Sequence, residues 1–171
     1  MVCASCAAKA RARSKKKDMT YYYMSYIWAN PTWDFLHSFA AKVNEDFFAV
    51  KKGEMLNIVK SLVAVLPCPD CQSHAISFFG NKTVQNIPTK ESFIELMLNF
   101  HNDVNSRTHK SPLTLEDLEK YNRSNFLLIT QVFLNIMSQY KSTLVGFAET
   151  RARRSVLHNI NEWVNRYGGN F

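Results

Sequence analysis

Apolar side chains recur every three to four residues along most of this 171-residue chain, a period that belongs to helices and not to strands. Met55, Ile58, Val59, Leu62, Val63 and Leu66 form one such stripe, and Phe93, Ile94, Leu96, Met97, Phe100 and Val104 lie along another. Only five Gly and five Pro occur, too few for the closely spaced turns of a sandwich or barrel. An all-α fold is therefore expected, and 46% hydrophobic composition in a chain of this length supports one real core.

The interruptions of the pattern predict where the helices begin and end. Asn30-Pro31-Thr32 reads as a turn with Thr32 as N-cap, followed by a helix over about 33–48 that Lys52-Gly53 breaks. A second helix over about 54–65 ends at Leu66-Pro67, because a residue before proline is pushed out of the helical region. Pro69 suits the first turn of a third, which Gly80-Asn81 stops, and this puts Cys68 at a helix N-terminus. A fourth spans about 89–107, introduced by Thr89 with Ser92 in its first turn. A short helix capped near Thr114 ends around Tyr121, and two more are expected over about 124–140 and 149–167. The organisation is then a flexible basic arm (1–20), a helical body (21–122) and a C-terminal helical extension (123–171).

The net charge of +7 resembles a nucleic-acid signal until it is located. Lys9, Arg11, Arg13, Lys15, Lys16 and Lys17 carry six of the 21 basic side chains, so the remaining 15 nearly balance the 14 acidic ones. The basicity belongs to the arm, and a solvated charge run is the simpler reading, so nucleic acid is not the expected partner. The arm has no apolar run of secretory type. The most apolar stretch, FLLITQVFLNIMSQY (126–140), is too short and too polar to span a bilayer, so no membrane association is expected.

The four cysteines form two Cys-x-x-Cys pairs, Cys3/Cys6 and Cys68/Cys71. Without a secretory signal the expected compartment is reducing, where such pairs usually mean metal or redox chemistry. At a helix start, unpaired N–H groups and the dipole would favour a Cys68 thiolate, and residues at i and i+3 can bridge. Zinc accepts the same spacing but wants four ligands; His74, three residues after Cys71, is a candidate third, and the other pair lies more than sixty residues away on the arm. The pair alone leaves redox chemistry, zinc and inert thiols open.

Two further constellations bear on that choice. Trp33 and His37 stand one helical turn apart, and His101, Val104 and Asn105 share a face of the fourth helix. Taken in order, WANPTWDFLH (28–37), LPCPDC (66–71) and HNDVNSRTHK (101–110) resemble the FAD-dependent sulfhydryl oxidases of the Erv/ALR type, most closely the versions carried by large DNA viruses. The resemblance covers roughly residues 26–121. One departure is local: where viral members often have Trp-Gly-Pro, this chain has Trp28-Ala29-Asn30 with the proline one place later.

That resemblance implies a four-helix bundle binding FAD, contacted by Trp28, Trp33 and His37 from the first motif and by His101, Asn102, Val104, Asn105 and Lys110 from the last. It implies Cys68 as the thiol that exchanges with substrate and Cys71 as the charge-transfer thiol facing the flavin. Electrons from thiol-containing protein substrates would reach O2 and give H2O2. Cys3 and Cys6 would act as a shuttle on the arm, the chain would form a homodimer, and the setting would be a host cytoplasm, as a viral factory, or a virion. The rival expectation is a zinc-stabilised helical nucleic-acid-binding or structural module with Cys3, Cys6, Cys68 and Cys71 as ligands. It leaves Trp33, His37 and the His101 motif unexplained.

Overall fold

The computed structural model describes residues 27–139 and 147–171, and the described residues are helical with no strand among them. Helix α1 occupies 27–42, α2 Glu45–Val63, α3 Pro69–Gly80, α4 Lys90–Arg107, α5 Leu115–Leu118, α6 Phe126–Gln139 and α7 Phe147–Tyr167. Short 3-10 turns at Val84–Asn86, Glu119–Arg123 and Gly168–Asn170 fill the connections.

The first boundary differs from the sequence expectation. Pro31 does not open α1 but lies inside it, where its missing N–H costs only the bond to the carbonyl of Ile27, in the first described turn. Thr32 is accordingly not a cap: its hydroxyl donates back to the Trp28 carbonyl at 2.7 Å. The break comes instead at Asn44, whose side chain accepts from the amides of Asp46 (2.9 Å) and Phe47 (3.3 Å) and starts α2 nine residues earlier than expected. Helix α2 then runs straight through Lys52-Gly53. A mid-helix glycine costs about 1 kcal/mol. Burying Phe48, Met55, Leu56, Val59, Leu62 and Val63 returns roughly 1.5–3 kcal/mol each, so packing outweighs the breaker.

The later boundaries follow the sequence closely. Cys68 is the N-cap of α3 with Pro69 behind it, and Thr89 with Ser92 makes a reciprocal capping box on α4. A second box, Thr114 with Asp117, opens α5.

Helix α1 is the central element. Phe35, Leu36, Phe39 and Ala40 are fully buried against α2, α4 and the C-terminal helices. The extension shares this core: Phe126, Phe133 and Met137 from α6 and Leu157, Ile160 and Val164 from α7 belong to the same cluster. Phe171 stacks on Phe126 with ring centroids 4.1 Å apart, and the Asn44 amide donates to the Asn170 carbonyl at 2.7 Å. No helix among the described residues is long and apolar enough to cross a membrane.

Candidate functional site

Helix α3 begins at the sequence Cys68-Pro69-Asp70-Cys71, and the two sulfurs are joined as a disulfide with Cα atoms 5.2 Å apart. Cys68 is buried and Cys71 half-buried. The Cys71 amide points at the Cys68 sulfur, 3.1 Å away, as an N-cap geometry requires. A thiolate formed at Cys68 would therefore meet an amide donor and the positive end of the α3 dipole. Asp70, in the same first turn, is solvent-exposed.

One turn beyond Cys71, His74 pairs through Nε2 with the Asp103 carboxylate on α4. Phe78 and Phe79 lean on Phe100 of α4 with centroids 5.1 and 4.8 Å apart. These contacts fasten the cysteine helix to the helix bearing the His101 motif.

Phe100 in turn meets Trp33 of α1, and Trp33 lies flat on His101 with centroids 3.9 Å apart and planes 4° from parallel. His37 and His101 share a hydrogen bond of 2.8 Å between Nε2 and Nδ1, and Tyr121 stacks on His37 with centroids 5.2 Å apart. Burial, then the neighbouring His101 and the Lys120 cation, lower the His37 pKa to about 3. Burial, then Lys110 and Lys120, lower that of His101 to about 4. At neutral pH both rings are uncharged, one donating the shared proton and the other accepting it. Tyr121 donates its hydroxyl to Asp34 at 2.9 Å; burial and that carboxylate push its pKa up.

The amides of the His101 motif hold the following loop. Asn102 closes a two-way bond with Leu113, donating to its carbonyl (2.9 Å) and accepting from its amide (2.7 Å). Asn105 donates to the Ser111 carbonyl at 3.0 Å, and its own carbonyl receives the Lys110 amide at 2.9 Å. His109 takes a positive φ of 56° where the chain turns. Val104 is half-buried against the main core.

Of the residues singled out in the sequence, the structure gathers Trp33, His37 and His101 in one ring stack, with Asn102 and Asn105 on the same helix as His101 bonding the loop that carries Lys110. Trp28 sits in the main core, 6% exposed, in the cluster against which Trp33 packs. Cys3 and Cys6 lie outside the described residues. The zinc reading finds no support: among the described residues no group of three or more His, Cys, Asp or Glu is placed to hold a metal ion, and His74 is engaged with Asp103. Sequence reasoning missed Asp34, Tyr121, Lys120 and the His74–Asp103 pair, all of which depend on which helices become neighbours.

Aromatic rings, two neutral imidazoles and two nearby lysines thus stand on elements fastened to the helix that carries the disulfide. The sequence model of the Erv1 / Alr family matches residues 30–124, more than half of the chain and all of these elements. The chain belongs to the Erv1/Alr family. Among its relatives, protein 096R of Invertebrate iridescent virus 3, named for a FAD-linked sulfhydryl oxidase, is 32% identical over 88 residues, 51% of this chain and 60% of its own length. The FAD-linked sulfhydryl oxidase of African swine fever virus (isolate Tick/Malawi/Lil 20-1/1983) is 24% identical over 119 residues, 70% of this chain and 93% of the relative. Protein 347L of Invertebrate iridescent virus 6, named likewise, is 27% identical over 101 residues, 56% of this chain and 90% of the relative. The chain thus spans about three fifths of the first relative's length and nearly all of the other two. No solved structure matches it. The Erv1/Alr match ends near the start of α6, so α6 and α7 lie beyond it.

Proposed function

We propose that the chain is a FAD-dependent thiol oxidase that forms disulfides in protein substrates. The observation that carries this reading is the Cys68–Cys71 disulfide at the N-terminus of α3, fastened through His74–Asp103 and Phe100 to the Trp33–His101–His37 stack.

The site's chemistry fits FAD. The His37 Nδ1 atom is buried with no hydrogen-bond partner among the described residues, so a polar ligand atom would satisfy it. Trp33 and His101 supply flat faces for a planar ring, Asn102, Asn105 and Val104 shape the loop beside them, and Lys110 with Lys120 offers charge for a pyrophosphate. Trp28 supports this wall from the core.

In the proposed reaction a substrate thiolate attacks the Cys68 sulfur, the Cys68–Cys71 bond breaks, and Cys71 leaves as a thiolate. A second substrate thiolate attacks its own sulfur in the mixed disulfide and releases Cys68, stabilised by the Cys71 amide and the helix dipole. The substrate has lost two electrons and gained a disulfide, and Cys68 and Cys71 have gained the pair. When bound, FAD supplies the two-electron acceptor for that dithiol and passes the electrons to O2, giving H2O2.

Residues 21–122 form the cofactor-binding part in this reading. Cys3 and Cys6 relay electrons from bulky substrates to Cys68, and two chains associate as a dimer in an infected cell's cytoplasm or a virion. The test is direct: purified protein should carry about one FAD per chain and consume O2 when given dithiothreitol. Colourless protein that leaves both dithiothreitol and O2 unchanged would contradict the proposal.

A further inference from the structure

Arg153 lies on α7, beyond the residues that match the Erv1/Alr family, and yet it reaches the chain just before the cysteine pair. Its side chain is 3% exposed, and its Nε donates to the Val65 carbonyl at 3.1 Å in a buried bond spanning 88 positions of sequence. Val65 follows the end of α2 and stands three residues before Cys68. The adjacent carbonyl, that of Ala64, is taken by the Gln72 side chain from α3. Two successive carbonyls at the C-terminus of α2 are thus held, one by the cysteine helix and one by the C-terminal extension.

We propose that Arg153 is a positioning residue for the redox pair: its charge and its bond to Val65 hold the 64–68 turn so that Cys68 stays in the N-cap position of α3. The inference rests on the thiol oxidase reading of Cys68–Cys71. A buried guanidinium is always charged and answers the negative end of the α2 dipole. The charge sets the direction of the effect. The bond fixes the turn in the geometry seen with the disulfide closed, whereas a positive charge held on that turn favours a thiolate at Cys68. That preference stabilises the reduced pair and makes the disulfide a stronger oxidant.

The experiment reads the dithiol–disulfide equilibrium of Cys68–Cys71 in the full chain against glutathione buffers at one fixed pH, without oxygen. Cys3 and Cys6 are changed to Ser throughout so that one pair titrates. Arg153→Met should shift the equilibrium about tenfold towards the disulfide, roughly 30 mV more reducing. Arg153→Gln, which keeps a donor and loses the charge, should shift it about threefold the same way, and Arg153→Lys should stay within about threefold of the parent. If Arg153→Met does not fold, the Gln and Lys variants carry the comparison. A folded Met or Gln variant with the parent's equilibrium would overturn the inference, because a purely structural arginine lowers stability without moving this ratio. Failure of the parent to oxidise dithiothreitol would instead sink the oxidase reading and leave the Arg153 shift readable.

Discussion

Trp33 and His101 lie face to face, 3.9 Å between centroids, and join the first and fourth helices where the aromatic and imidazole motifs converge. Removing the indole should cost the stack about 0.5–1.5 kcal/mol beyond lost area. Trp33→Ala should lower thermal stability modestly, keep far-UV helicity, and lose most bound FAD, as read by visible absorbance of the purified protein. Full flavin content in that variant would remove Trp33 from the cofactor wall.

The neutral imidazole pair gives the protein a signed pH dependence. His37 and His101 have folded pKa values near 3 and 4, below the ordinary 6.5, so the unfolded chain binds more protons between those values. Their contribution is fully present above about pH 6.5 and is lost as the pH falls towards 4. The unfolding free energy from urea titrations should drop across that interval, by roughly 1–2 kcal/mol per pH unit. A double His37→Phe, His101→Phe variant should flatten the slope.

Asn102 tests whether the loop matters to the site. Its side-chain amide both donates to and accepts from Leu113, and Asn102→Ala would leave those backbone groups without it, at about 1–3 kcal/mol. Stability measured by urea should fall by that amount, and FAD affinity should fall with it because the loop carries Lys110. Asn102→Asp keeps the acceptor and loses the donor, so it should lie between.

If Cys3 and Cys6 act as the proposed shuttle, substrate size should separate the two cysteine pairs. Replacing Cys3 and Cys6 with Ser should slow oxidation of a reduced protein substrate several-fold more than oxidation of dithiothreitol, both followed by oxygen uptake. Equal slowing, or none, would remove the shuttle role.

Much of this site was legible in local sequence. Cys68-Pro69 announces a helix start because a side-chain acceptor and a residue without an amide proton suit the same two positions, and Thr89 with Ser92 does the same for α4. The 101–110 residues are expected through the family resemblance as FAD contacts; the bonds the structure shows for Asn102 and Asn105 are to carbonyls of the following loop, within eleven residues. What stayed hidden depends on distant packing. The Asn44 cap is masked in the sequence by the Lys52-Gly53 breaker, which the stripe buried on either side of it overrides. Asp34 with Tyr121, His74 with Asp103 and Arg153 with Val65 pair across 87, 29 and 88 positions, and no local pattern brings them together.

The central claim is that Cys68 and Cys71 form the redox pair of a flavin-dependent thiol oxidase. Its most direct test is oxygen uptake with dithiothreitol in the parent protein and in Cys71→Ser, with bound FAD quantified in both. The account predicts a yellow, folded Cys71→Ser variant that retains FAD and has lost turnover by at least a hundredfold. Undiminished oxygen uptake in that variant would contradict it.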